Sequence, residues 1–152
     1  MTIFQAIRAE NEEALATELA NAPAAKNARD ERGSTPLILA TYLNNLPATR
    51  LLVEAGVDVN ATDGMGNTAL MGVCFKGLQE VASYLIEAGA DVNVRGARGG
   101  TALHFAAMFD KKEIVDLLLA HGADKAIIDD QGLTAGELAR QQGLVDMAAR
   151  LA

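Results

Sequence analysis

Gly99-Gly100-Thr101-Ala102-Leu103-His104-Phe105-Ala106 reads as the end of a turn followed by the start of a helix, and its pattern recurs. The matching segments are Gly33-Ser34-Thr35-Pro36-Leu37-Ile38-Leu39-Ala40 and Gly66-Asn67-Thr68-Ala69-Leu70-Met71-Gly72-Val73, each step being 33 residues. Working outward, Thr2 and Thr134 extend the threonine series to both ends. Gly56, Gly89 and Gly122 keep the same period, as do Asp58, Asp91 and Asp124. Leu19, Leu52, Leu85, Leu118 and Leu151 form a further series. A fixed period of this length marks a stack of units, none of which buries its apolar face alone.

Each unit has a physical reading. Threonine at the head of the helix caps it by accepting a bond from an otherwise unpaired backbone N–H. Pro36 then falls at the first helical position, where its missing N–H costs nothing. Nine residues after the threonine stand Asn44, Gly77, Asp110 and Gly143, types that tolerate the left-handed backbone that ends a helix. A second amphipathic stretch follows, such as Ile114-Val115-Asp116-Leu117-Leu118-Leu119, and Gly56, Gly89 and Gly122 are its terminators. The unit is therefore two short antiparallel helices and an extended turn with Asp and Gly at its tip.

The Thr-Pro-Leu or Thr-Ala-Leu-His opening, the Asp-x-x-Gly turn and the Ala-Gly-x-Asp-Val-Asn exit resemble those of the ankyrin-repeat family. The resemblance covers essentially the whole chain. It implies an all-α ankyrin-repeat solenoid with extended β-turn fingers, folded as a single domain. Full repeats are placed at 29–61, 62–94 and 95–127, with an N-terminal capping repeat at 1–28 and a C-terminal one at 128–152. The ends diverge as caps should: Asn11, Glu12, Glu13 and Glu18 polarise the first, and Gly136 replaces the expected Leu in the last.

Composition narrows the function. Of 152 residues half are apolar and 22% charged, as in ordinary globular proteins. A net charge of -7 lacks the basic footprint that displaces phosphate counterions, so no nucleic-acid partner is expected. No run of apolar residues reaches the length of a membrane span, and the opening residues show no secretory signal pattern. Cys74 is the only cysteine and forms no internal disulfide, which makes a cytoplasmic, monomeric protein the expectation.

Catalytic chemistry has few candidates. His104 stands at the family's histidine position, where the resemblance implies that the ring bonds the turn between repeats. His121 ends a second helix, where an imidazole suits the negative end of the dipole. Cys74 shares a small-residue slot with Thr41 and Ala107 and reads as a buried thiol. Gly96-Ala97-Arg98-Gly99-Gly100 lacks the Lys-Ser/Thr ending of a phosphate loop and belongs to the turn series. Gly96 replaces the Asp found at 30, 63 and 129, which predicts a looser third finger. No catalytic residue, metal site or cofactor is expected.

A binding surface has more support. Seven residues after the threonine stand Tyr42, Phe75 and Met108, and eight after it Leu43, Lys76 and Phe109; Ala9 and Glu10 precede them. Three of the chain's six Phe and Tyr residues lie here, at positions the stack does not require to be apolar. Either they form a strip for a protein or peptide partner, helped by Arg32, Met65 and Arg98 on the fingers, or they fold inward and extend the core. The resemblance places such partners on the concave surface. The alternative function is an inhibitor or immunity protein that blocks a toxin or enzyme through the acidic second helices, where Glu54, Glu80, Glu87, Glu113 and Asp116 collect.

Overall fold

The computed structural model describes all residues, 1–152. Ten helices follow in pairs: α1 (Ile3–Arg8) and α2 (Glu12–Asn21), α3 (Pro36–Tyr42) and α4 (Leu46–Glu54), α5 (Ala69–Lys76) and α6 (Gln79–Glu87), α7 (Ala102–Met108) and α8 (Lys112–Ala120), α9 (Ala135–Gln141) and α10 (Val145–Arg150). A 3-10 turn, Pro23–Asn27, follows α2, and the only β pairing is an isolated antiparallel bridge between Thr62 and Thr68 at the base of a finger. No helix is long and apolar enough to cross a membrane.

The local chemistry sets these ends. Thr2, Thr35, Thr68 and Thr134 each accept a bond from the amide three residues on. Helices α3, α5, α7 and α9 end in a left-handed residue, at Asn44, Gly77, Asp110 and Gly143. Gly56, Gly89 and Gly122 take the same conformation after α4, α6 and α8.

The helices stack in two rows. The first helices, α1, α3, α5, α7 and α9, pack on one another more closely than the second helices do. A stack held tighter on one side curves toward it, so the first helices line its inner side. Leu52, Leu85 and Leu118 are wholly buried between pairs, with Leu37, Leu70 and Leu103 on the first helices. Asparagines tie the turns: Asn60 Oδ1 accepts from the Asp91 amide and Asn93 Oδ1 from the Asp124 amide, both at 2.8 Å.

The first pair departs from the expected register. Its left-handed residue is Glu10, eight residues after Thr2 and 34 before Asn44. A step of 34 also matches buried Ile3, Ala6, Ile7 and Leu15 to buried Leu37, Ala40, Thr41 and Thr49. Thr2 caps its helix, yet the packing register has slipped by one residue. Leu19 is consequently half-buried and not a counterpart of Leu52. Arg8 and Ala9, not Ala9 and Glu10, therefore precede Tyr42 and Leu43. In the last pair Gly136 admits Leu151, whose Cβ and carbonyl would lie 3.1 and 3.3 Å from an added methyl.

Candidate functional site

The ends of α3, α5 and α7 carry the predicted strip, and the helix register explains its exposure. Positions seven and eight after the threonine follow the last buried pair of each first helix, so their side chains leave the stack. Tyr42, Leu43, Phe75 and Phe109 are each about two-fifths exposed, whereas Met108 is half-buried. Lys76 is exposed.

These side chains meet across unit boundaries. The Phe75 and Phe109 rings pack edge to face with centroids 4.6 Å apart. Lys76 Nζ donates to the Tyr42 carbonyl at 2.7 Å and lies 4.3 Å from the centre of the Tyr42 ring. Each contact joins a residue to the one 34 positions on. The same step links Arg50 to Tyr84, and Asp116 to Arg150, on the outer row. A search at 34 as well as 33 would find these pairs in the sequence.

Arg32, Met65 and Arg98 are exposed on three successive fingers and make no side-chain bond to the strip. Arg29 and Arg95, by contrast, are occupied. Arg29 Nη1 donates to the carbonyls of Gly33 and Thr62, and Arg95 to those of Gly99 and Ile128. Each arginine therefore clamps its own finger to the next. A further row, not among the expected site residues, lies four residues after the threonines, where Leu39, Phe105 and Leu138 are half-buried and Gly72 interrupts them. Ile128 and Val145 are further exposed apolar groups, on the fourth finger and at the start of α10.

Charge divides between the two sides. The second helices with the turns that follow them hold twelve acidic and five basic side chains. The first helices, fingers and interhelical loops hold eight of each, so the net -7 resides on the second-helix side. Of the loop-side carboxylates, Asp30, Asp63 and Asp129 are turned inward, each accepting two finger amides through Oδ1.

The groups with reactive potential are engaged in the fold. His104 Nδ1 accepts from the Thr101 amide at 3.1 Å and Nε2 donates to the Leu133 carbonyl at 2.9 Å, which fixes the ring between a helix cap and the next turn. His121 Nδ1 donates to the Leu117 carbonyl in the last turn of α8. Cys74 is fully buried, and that burial pushes its thiol up to about 12. No group of three or more His, Cys, Asp or Glu side chains is arranged to hold a metal ion.

A family model for ankyrin repeats, in three copies, matches residues 3–96 and 95–152. The chain belongs to the ankyrin-repeat family. Ankyrin repeats are generally modules for protein–protein interaction, and the paired helices and fingers described above are the units of that solenoid. No curated protein matches the chain.

Proposed function

We propose that this ankyrin-repeat protein is a non-catalytic module that binds a protein or peptide partner on its inner side. The contact strip comprises Tyr42, Leu43, Phe75, Lys76, Met108 and Phe109, with Arg32, Met65 and Arg98 on the fingers. The observation that carries this reading is the pairing of the exposed groups. Phe75 braces Phe109, and Tyr42 holds Lys76, while the rings still present surface to solvent. Large side chains fixed before contact lose little freedom on binding, which is what a recognition surface requires. Exposed rings that served only to extend the core would be covered by it.

The structural engagement of His104 and the burial of Cys74 support a non-catalytic role. A single sheltered thiol also fits residence in the reducing cytoplasm. Exposed Lys76, Arg32 and Arg98 have no carboxylate within ion-pair distance, so a partner segment with apolar anchors and acidic flanks complements the strip.

The test combines Tyr42→Ala, Phe75→Ala and Phe109→Ala, and compares capture of partners from the native cell extract with the melting curve. The expected outcome is a cooperative melt with capture lost. Undiminished capture by the folded variant removes the strip from the interface. A second reading, an inhibitor or immunity protein acting through the outer face, draws on the concentration of net charge on the second helices.

A further inference from the structure

Glycine in the interior of a helix is unfavourable because it gives up more backbone freedom than alanine and packs nothing. Most glycines here answer to a need. Nine of the fourteen adopt positive φ, and Gly64, Gly96 and Gly136 face a neighbouring atom closer than 3.4 Å. Only Gly72 and Gly100 have neither reason. Gly72 lies in the middle of α5, where an added methyl would meet nothing nearer than Tyr42 Cδ1 at 3.7 Å. The corresponding positions of α3, α7 and α9 are occupied by Leu39, Phe105 and Leu138. The fold thus tolerates a large side chain at this register, and in α5 there is none.

We propose that Gly72 is a specificity-determining gap in the binding strip, and this inference rests on the strip reading above. It interrupts an apolar row on the inner helices, with the Tyr42 ring along one edge and Phe75 and Lys76 within the next turn of α5. Such a gap accepts one apolar side chain of a partner segment. Lys76 lies near it, held by the Tyr42 carbonyl and ring, exposed and without a carboxylate partner. The occupant is therefore an apolar anchor residue with an Asp or Glu beside it in the same peptide segment.

The deciding experiment pans a display library of random peptides against three forms: wild type, Gly72→Leu, and the triple alanine variant of Tyr42, Phe75 and Phe109. Leucine is the residue that α3 and α9 hold at this register, and it replaces a poor helix former. Gly72→Leu is expected to melt about 2–4 °C higher than wild type. Peptides selected on wild type should carry a large apolar residue next to Asp or Glu. Their synthetic forms should bind Gly72→Leu about tenfold more weakly or worse. Lys76→Gln should relax the acidic preference. Peptides that bind wild type and Gly72→Leu alike, but not the triple variant, overturn the gap and leave the strip standing. Peptides that bind all three alike, or no enrichment over an unrelated folded protein, overturn both.

Discussion

Cys74 occupies α5 with no exposed surface, in the register that holds Thr41 in α3 and Ala107 in α7. A thiolate has no hydrogen-bond partners in such a slot, so burial raises the thiol from 9.0 to about 12. In the unfolded chain the same thiol ionises near its ordinary value. Its contribution to stability is therefore complete below pH 9.0 and is lost as pH rises toward 12. Cys74→Ala, which copies Ala107, should make the protein less sensitive to alkali than wild type in urea melts above pH 9.0. An identical pH slope in the two proteins would show that the thiol plays no part. A neutral thiol reagent should label Cys74 only as the protein unfolds.

Among elements, the third finger is held together differently from the others. The amides of Arg32 and Ser34, Met65 and Asn67, and Gln131 and Leu133 all donate to a turn aspartate. With Gly96 in that place the third finger keeps its backbone bonds, Gly96 to Gly100 and Gly99 to Gly96, but loses the two to a side chain. An aspartate restored there would have to turn the Asn67 side chain aside, because its Cβ would lie 2.7 Å from Asn67 Oδ1. Arg95 clamps Gly99 and Ile128 as Arg29 clamps Gly33 and Thr62, and the third finger adds the Arg95 contact to Asp130 and the bond from the Asp130 amide to the Arg98 carbonyl. Amide hydrogen exchange should thus be faster at Arg98 and Gly100 than at the matching amides of the other fingers. Arg95→Ala should widen that difference and extend it to Asp130; unchanged exchange would contradict the clamp. The missing carboxylate was legible in the sequence, because one residue broke a strict series. The clamp was not, since Arg29 and Arg95 alternate with Thr62 and Ile128 and so form no uninterrupted row. For the same reason the period picked out the row at the ends of the first helices but not which of its side chains touch. It also misled at the first pair, where Thr2 and Leu19 keep the spacing while burial follows a step of 34.

At the scale of the molecule, the two rows of helices present different electrical faces. The inner side is balanced and the outer side holds the whole excess of negative charge. Association through the strip should weaken only moderately with ionic strength, since its charged groups are the three cations Lys76, Arg32 and Arg98 and its remaining contacts are uncharged. Association through the second helices should slow steeply as salt is added, and charge reversal at Glu80, Glu87 and Glu113 should slow it further. Stopped-flow on-rates across a salt series separate the two, and a steep salt dependence that those reversals abolish would move the interface to the outer row. The contacts that step by 34 have a further consequence. Tyr42 and Lys76, like Phe75 and Phe109, sit in neighbouring units, so no single unit owns a complete piece of the strip. Duplicating, deleting or transplanting one unit would preserve the stack and sever the surface at the seam. A change of specificity that keeps such a surface whole therefore calls for point substitution within a fixed order of units.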